Sequence, residues 1–356
     1  GSLVSVAVVR ADPQDLSGAL ERLLALLGGL GGIVRPGDSV LLKPNAVAPF
    51  AHAATDLGLV AAMARAVQRA GGRVAIGESA GYEFDTAATF RVLGLDRLAG
   101  ELDVPLLNLD QGPFLGRELA GYGPVPVARA ALQADVLINL PKLKLHNLTG
   151  VTLGAKNLMG LLPRPARRAL HLRGLERGIA ALAAAVPVAL TVMDALTLTP
   201  RAAFARPRPG GLLIAGRDLV SLDQACRSLL GYPSQGPVEW RCPPGEPPPQ
   251  PLTDLPRAEG WLYRATLAAL YRLDGLAPGG SLVAWAHWWL ALRPALVRSR
   301  CDRCGACLAV CPLSAIDLGR RRIVASRCMR LRCLRCLDAC PSGAIVLRGP
   351  RRPREA

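Results

Sequence analysis

Eight of the ten cysteines in this 356-residue chain lie within forty residues near its end. They form two groups of four, and a Cys-Pro step closes each group. Cysteine thiolates bind metals or pair as disulfides, so this segment is constrained to fold around one of these centres. No secretory leader is recognisable, so we expect a cytoplasmic protein, which a disulfide framework would not suit. The cysteine pattern therefore predicts a metal centre.

The first group has the spacing C-x2-C-x2-C-x3-C-P, and the segment closely resembles bacterial ferredoxins with two [4Fe–4S] clusters. Each group is followed by a strand-like stretch, 315–318 or 344–347. The resemblance implies a small α+β ferredoxin-like domain over residues 299–349, in which each cluster takes one ligand from the other group. One cluster would be held by Cys301, Cys304, Cys307 and Cys340, and the other by Cys311, Cys328, Cys333 and Cys336. Two four-cysteine zinc sites are the alternative.

The formal net charge of the chain is +16, and much of it lies beside the cysteines. Residues 298–356 contain fourteen arginines against four acidic residues, and residues 350–356 form a basic tail. Because a cluster with four thiolates is negative, we interpret the arginines as its compensation. They would also steer an acidic, low-potential electron donor of the ferredoxin or flavodoxin type to this surface. No nucleic-acid partner is expected, since a metal site lies among these arginines.

The larger part of the chain alternates between strand-like and helical patterns. Runs of Val, Ile and Leu predict strands, and apolar residues at helical spacing, such as Leu16, Leu20 and Leu23, predict the helices between them. This alternation is typical of an α/β domain with a mostly parallel sheet covered by helices on both faces, and we assign it to residues 1–235. The predicted strands are 3–9, 39–43, 73–78, 104–109, 135–140, 188–193 and 211–215.

Only four of the 43 lysines and arginines are lysines. They are Lys43, Lys142, Lys144 and Lys156. Lys43 ends one predicted strand and the other three come after another, where sites of parallel sheets form, and we interpret all four as positions that require a compact, titratable amine. We predict that they converge at one sheet edge and bind an anionic small-molecule substrate or cofactor. Ordinary surface or capping roles are the alternative.

Other scarce polar residues accompany these lysines. The predicted catalytic residues are His146, Lys144 and Lys156, with His146 as the acid. The predicted substrate-binding residues are Lys43, Asn45, Lys142, Asn147, Asn157, Glu78 and Asp194. Helix capping is the commoner explanation for the acidic candidates, which also include Asp56, Asp218 and Asp223. No glycine-rich dinucleotide motif or P-loop is present, so a bound nucleotide is not indicated.

Four motifs in the larger part resemble the DUF362 family. They are Lys-Pro-Asn after the second strand, Ile-Asn-Leu-Pro-Lys-Leu-Lys-x-His, Thr-Gly-Val-Thr-Leu-x-x-Lys-Asn and Gly-x-Asp-x-x-x-x-Asp. The match covers about residues 30–232, and members of the family often carry a C-terminal two-cluster module. The resemblance supplies motif positions but no reaction. Those positions are Lys43, Pro44, Asn45, Lys142, Lys144, His146, Lys156, Asn157, Asp218 and Asp223. The arginine- and proline-rich stretch 199–209 departs from the family pattern.

The same loop shows a fainter resemblance to nickel-pincer lactate racemases. His146 and Lys156 stand where those enzymes have a catalytic histidine and the lysine that carries the cofactor. For a further metal-binding histidine, His171 is the nearest candidate. The resemblance implies shared ancestry, and we do not expect a pincer cofactor.

Two segments separate the predicted domains. Residues 236–256 are proline-rich and predict an extended linker. Residues 257–298 predict a tryptophan-rich helical connector. Its part 281–297 would dock the ferredoxin-like domain onto the α/β domain, or else contact a membrane surface or the substrate. A homodimer is a further possibility that the sequence leaves open.

These features favour an iron–sulfur oxidoreductase that passes electrons from a low-potential donor through two [4Fe–4S] clusters to an anionic group at the lysine-rich loop. A non-catalytic electron-transfer subunit, whose α/β domain binds a protein partner, is the first alternative. A racemase- or lyase-like enzyme with structural clusters is the second.

Overall fold

The structure is a computed structural model. It describes residues 4–81, 84–146, 150–199, 208–233, 237–252, 293–311, 313–328 and 335–348. Several predictions of the sequence analysis fall outside these residues: those on Asn147 and Cys333, on the stretch 200–207 and on the connector up to residue 292. Of His146, only the backbone is described.

The larger domain contains twelve described strands. They are β1 Val4–Arg10, β2 Ser39–Pro44, β3 Arg73–Glu78, β4 Leu106–Asn108, β5 Phe114–Leu119, β6 Gly123–Ala128, β7 Val136–Leu140, β8 Lys142–His146, β9 Gly150–Thr152, β10 Leu190–Thr199, β11 Arg208–Gly216 and β12 Val238–Arg241. Eight of them run in the order β12-β1-β11-β10-β7-β2-β3-β4, and β8 and β9 extend the sheet beside β10. The centre of the sheet, β10-β7-β2-β3-β4, is parallel. Strands β5 and β6 form a separate hairpin.

Helices cover both faces of this sheet. They are α1 Leu16–Ala25, α2 Leu57–Arg69, α3 Thr86–Leu93, α4 Leu95–Leu102, α5 Arg129–Gln133, α6 Gly154–Asn157, α7 Arg164–Ala185 and α8 Leu219–Leu229. Alternate residues of β2 point to opposite cores: Leu42 packs with α1 and α2, whereas Leu41 packs with α7 and the β5–β6 hairpin. Because strand side chains alternate between faces, this division shows that the sheet is buried on both sides. The predicted α/β class with a mostly parallel, doubly covered sheet is confirmed.

The structure corrects the predicted linker. Residues 238–241 are not an extended tether but strand β12, which pairs in parallel with β1 at the edge of the sheet. Trp240 and Leu252 pack against the apolar cluster under α8, and the amide of Leu252 donates to the carbonyl of Leu229 at 2.6 Å. The α/β domain therefore extends beyond residue 235, because an edge strand with an apolar face gains more by pairing than by remaining solvated.

The smaller domain has short elements, as its cysteine loops require. They are β13 Arg293–Leu296, β14 Ile316–Asp317, β15 Arg322–Ile323, β16 Ile345–Arg348 and the helices α9 Ala306–Ala309, α10 Ala325–Cys328 and α11 Arg335–Asp338. The helical connector was predicted to reach residue 298, and this is wrong for Arg293–Leu296, which pairs antiparallel with β16. Pro294 is tolerated in this edge strand and would break a helix interior. No described helix is both long enough and apolar enough to cross a bilayer.

Candidate functional site

The carboxyl ends of β2 and β7 meet near the centre of the sheet. The pairing sets Lys43 opposite Asn139, and β7 continues through Pro141 directly into β8. Strand β10 is long enough to pair first with β7 and then with β8, where Asp194 lies opposite Lys142. The sheet register therefore gathers residues that are far apart in the chain at one edge, as expected for parallel sheets.

Two of the four lysines are neutralised by buried carboxylates. Lys43 Nζ lies 2.8 Å from Glu78 Oε2, with side-chain exposures of 0% and 3%. Lys142 Nζ lies 2.9 Å from Asp194 Oδ1, with exposures of 2% and 0%. Each charge is removed from water but compensated, because an unpaired buried charge would be very costly.

Lys144 has a different environment. Its Nζ donates to the carbonyl of Ala53 at 2.6 Å and to Asn45 Oδ1 at 2.8 Å, and both acceptors are neutral. Burial, and after it the positive charges of Lys156 and Lys142, lower the pKa of Lys144 to about 7. A neutral acceptor offsets the desolvation of an ammonium group less than a carboxylate does. Lys144 can therefore exchange a proton near neutral pH.

Lys156 lies in the short helix α6 and remains partly exposed. Desolvation by the surrounding protein lowers the pKa of Lys156 to about 7 as well. The carboxylate of Asp223 accepts the amides of Gly154 at 2.7 Å and Ala155 at 2.9 Å, which anchors the start of this helix. Burial raises the pKa of Asp223 to about 7, opposed by these two amides. Asp223 thus caps α6 rather than its own helix α8.

Three asparagines connect the lysines. Asn45 Nδ2 donates to Asn157 Oδ1 at 2.8 Å, and Asn157 Nδ2 donates to Asn139 Oδ1 at 2.8 Å. Because Asn45 also accepts from Lys144, and Lys43 Nζ lies 3.5 Å from Asn157 Oδ1, the amides link the two lysines. We call Lys43, Lys142, Lys144 and Lys156, together with these three asparagines, the lysine cluster. The positive charges of Lys43, Lys142 and Lys156 all act on Lys144, so the four lysines converge as predicted.

Other acidic residues and His171 have structural partners. Asp56 caps α2 by accepting from Gly58, and Asp218 caps α8 by accepting from Ser221. His171 Nδ1 lies 2.8 Å from the carbonyl of Arg167, and burial lowers the pKa of this histidine to about 4. Glu78 and Asp194, by contrast, serve as the ion-pair partners of lysines rather than as caps.

The sequence analysis did not assign Asn139 to the site, and it also missed Gly160 and Thr152. A Cβ atom on Gly160 would collide with Glu78 Oε2 and would lie 2.8 Å from Lys43 Nζ, so this position must lack a side chain. Thr152 lies opposite Lys144 in the β8–β9 pair, and its buried hydroxyl has no hydrogen-bond partner among the described residues. Neither glycine nor threonine is scarce in the chain, so composition gave no signal for these two.

The thiols of the smaller domain fit an iron–sulfur centre by their chemistry and by their internal repeat. The amide of Ala315 donates to Cys311 Sγ at 3.2 Å, and the amide of Ala344 donates to Cys340 Sγ at the same distance. These are the fourth cysteines of the two groups, and amide–sulfur hydrogen bonds tune the potentials of such clusters. Burial raises the pKa of Cys307, and Cys340 and Cys301 raise it as well, so the two cysteine groups are within electrostatic reach of each other.

The described thiols form no disulfide. Within the described residues, no three His, Cys, Asp or Glu side chains are close enough to form a complete metal site. Cys333, one of the predicted ligands, is outside this part of the chain. Cys226 is fully buried beneath the sheet and Cys242 is partly buried, so both lie apart from the cysteine groups.

Comparisons with known proteins agree with this division. The family model described as a domain of unknown function (DUF362) matches residues 40–228, and a 4Fe-4S dicluster domain matches residues 293–349. The thylakoid-associated protein sll1697 of Synechocystis sp. is 31% identical over 240 residues, which cover 64% of this chain and 74% of that protein. The lactate racemase apoprotein from Thermoanaerobacterium thermosaccharolyticum is 15% identical with a TM-score of 0.43, over 63% of this chain and 56% of that one. The chain therefore belongs to the DUF362 family and carries a 4Fe-4S dicluster domain behind its family domain.

Proposed function

We propose that the protein is an oxidoreductase in which two [4Fe–4S] clusters supply electrons for the reduction of an anionic substrate or cofactor at the lysine cluster. The observation that carries this proposal is Lys144, a buried amine whose pKa is about 7 and whose described partners are neutral. Reduction of a carbonyl or a similar group consumes protons as well as electrons. A group that is half protonated at neutral pH is the most effective acid for such a transfer.

Lys43 and Lys142 would have a different role from Lys144 and Lys156. Lys43 and Lys142 are already neutralised by Glu78 and Asp194, so they hold the floor of the site in place. Lys144 and Lys156 are within electrostatic reach of one another, and an anion between them would relieve their repulsion. Anion binding would therefore raise the pKa of both lysines and load the proton that the reaction uses.

Thr152 supports the same location for the bound group. Its hydroxyl faces the side of the hairpin that carries Lys144, since directly opposed residues of an antiparallel pair share a face. A buried hydroxyl without a partner loses a hydrogen bond, and a polar ligand atom would restore it. The hydroxyl would then orient the group that Lys144 protonates.

The contact between the domains supports the coupling of the two centres. Arg335, which begins helix α11 and precedes Cys336, donates to the carbonyl of Val92 at 2.9 Å. Val92 belongs to α3, which follows the loop after Glu78. This hydrogen bond holds the second cysteine group against α3 of the α/β domain.

The test uses the anaerobically purified full chain. Two clusters require about eight iron atoms per chain. After reduction with dithionite, small carboxylates and phosphate esters are screened for restoration of the oxidised visible spectrum. We expect a Lys144→Met variant to accept electrons from dithionite but to lose at least about tenfold in reoxidation by the active anion, in line with the loss of a general acid.

The matched control is Arg65→Gln, which alters an exposed side chain on α2. Equal reoxidation of the Lys144→Met variant and the parent would place the lysine cluster outside the electron path. Solvent deuterium exchange into an anion without any change of the oxidised spectrum would favour a racemase- or lyase-like activity instead. Reduction by a protein donor without any responsive small molecule would favour the electron-transfer subunit.

We also propose a peripheral association with a membrane. The support is the relative from Synechocystis, whose name describes it as thylakoid-associated. Flotation of the full chain with anionic and with neutral vesicles tests this association, and recovery of all protein in the bottom fraction in both cases would contradict it.

A further inference from the structure

The smaller domain carries an open cleft of about 530 Å³ that is lined almost entirely by arginines. We call it the arginine cleft. Its lining residues are Arg298, Arg303, Gly319, Arg320, Arg321 and Arg322. One wall is the turn between β14 and β15, and the other is the segment that enters and forms the first cysteine loop.

The backbone of the cleft is built in an uncommon way. Arg303 and Arg321 have φ values of 62° and 45°, in the left-handed region that glycine or asparagine usually occupies. Arg321 donates to the carbonyl of Arg298 at 3.2 Å, which ties the two walls together, and its Nε has no hydrogen-bond partner among the described residues. Arginine at such positions costs conformational energy, which is typical of a functional rather than a structural requirement.

The positive charge of the cleft is largely uncompensated. Within the described residues, Asp317 is the only carboxylate that pairs with a lining arginine, with 3.5 Å between its Oδ2 and Arg322 Nε. Asp302, the other nearby acid, accepts the amide of Cys304. Five permanently charged guanidinium groups thus line the cleft, and one of them has a carboxylate partner within the described residues. Their rigid forks match carboxylate geometry.

The cleft also lies away from the described contact between the domains. Arg335 holds the second cysteine group against α3, whereas no hydrogen bond or ion pair of the described residues joins the lining arginines to the α/β domain. Arg303 stands between Cys301 and Cys304, so a partner bound in the cleft contacts the loop of the first cysteine group. The two groups therefore have different neighbours: the α/β domain for the second, and an open basic surface for the first.

We infer that the arginine cleft is the docking surface for the carboxylate-rich face of a small, acidic electron-carrier protein, an inference that rests on the proposed oxidoreductase function. The lining offers no aromatic ring on which a nucleotide base could stack, which disfavours a nucleotide. Its openness and its place on the first cysteine loop suit a protein that must approach that loop closely. Association through exposed charges is fast, weak and sensitive to salt, as an electron carrier requires.

The test measures binding rather than turnover. The probe is a purified acidic [2Fe–2S] ferredoxin, titrated calorimetrically into the anaerobic full chain at low and at high sodium chloride. We expect an Arg303→Glu/Arg320→Glu variant to lose at least about tenfold in affinity and most of the salt dependence. The control variant, Arg65→Glu/Arg129→Glu, changes the net charge equally at two exposed positions of the α/β domain and should bind within about twofold of the parent.

Iron content and visible spectra show whether the variants keep their fold. Equal losses of ferredoxin affinity in the two variants would show that net charge alone determines binding, and this would overturn the inference. Stoichiometric binding of pyrophosphate without binding of ferredoxin would identify the cleft as a small-anion site. Binding of phosphatidylglycerol vesicles alone, dependent on the cleft arginines, would identify it as a membrane contact. Either result would overturn the inference. Because Lys144→Met should bind the ferredoxin as tightly as the parent, failure of the lysine-cluster chemistry would leave the docking result unaffected.

Discussion

The lysine cluster and the arginine cleft are both basic, but their charged groups differ in burial and in how they are compensated. The lysines lie inside the α/β domain, where each is paired with a carboxylate or has a lowered pKa. The arginines line an open surface, where Asp317 pairs with Arg322 alone among the described residues. Burial makes an ionised group costly, and an amine can respond to burial by lowering its pKa, which a guanidinium group cannot. An exposed charge keeps its hydration and has little desolvation cost, so arginine, which is charged at every accessible pH, can occupy the open surface.

The largest contrast is expected from removing one carboxylate in each region. Glu78→Gln leaves Lys43 as an uncompensated buried charge and should lower the free energy of unfolding by about 3–5 kcal/mol. Asp317→Asn removes the partner of Arg322 at the surface and should cost no more than about 1 kcal/mol. Anaerobic urea unfolding of the full chain measures both values. Similar costs for the two variants would show that the Lys43–Glu78 pair is more hydrated than its burial indicates.

Two glycines provide the second comparison. Gly160→Ala places a methyl group against Glu78 and Lys43 and should destabilise the protein by about 1–3 kcal/mol through overpacking. At Gly319 in the cleft, an added Cβ would meet Asp317 Oδ1 only at 3.5 Å, an ordinary contact. Gly319→Ala should therefore change stability by less than about 0.5 kcal/mol. The same unfolding assay compares them, and a neutral Gly160→Ala variant would mean that the ion pair can shift aside.

The pH dependence of the lysine cluster is the third comparison. The pKa of Lys144 falls from 10.5 to about 7 on folding, so the folded protein binds fewer protons between these pH values and its stability rises with pH there. Lys144→Met should reduce this slope by up to about 1.4 kcal/mol per pH unit. The raised pKa of Asp223 acts in the opposite sense, lowering stability as the pH rises from 3.8 to about 7.

Because the chain has only four lysines, ¹³C-labelled lysine side chains give a spectrum in which each titration can be followed separately. We expect the signals of Lys144 and Lys156 to titrate near pH 7. A midpoint near 10 for Lys144 would remove the basis for its role as an acid. Saturation of the site with the active anion should move both midpoints upward.

The smallest effect is expected at Thr152. Thr152→Val removes a buried hydroxyl without a described partner and should change stability by no more than about 1 kcal/mol. If the hydroxyl orients the bound group, the affinity of the anion should fall several-fold. Thr191→Val is the matched control, because Thr191 also buries an unpartnered hydroxyl but lies on β10. Equal anion affinities in the parent and the Thr152→Val variant would show that the Thr152 hydroxyl does not contact the bound anion.

Local patterns were sufficient for much of this architecture. The spacing of the cysteines predicted the ferredoxin-like domain, and the runs of Val, Ile and Leu located the strands of the central sheet. The predicted strand 73–78 coincides with β3, because a buried parallel strand is recognisable from its own residues. The scarcity of lysine pointed to the lysine cluster, since scarcity is a property of composition alone.

The division of roles among the lysines depended on the tertiary structure. Lys142 and Asp194 are 52 positions apart, and only the pairing of β8 with β10 places them opposite one another. The same holds for Lys43 and Glu78, which lie at the ends of neighbouring strands. Sequence determines which groups can ionise, whereas the order of strands in the sheet decides which of them meet. A lysine buried beside a carboxylate has its positive charge compensated by the ion pair, whereas Lys144, buried beside an amide and a carbonyl, has a pKa lowered to about 7.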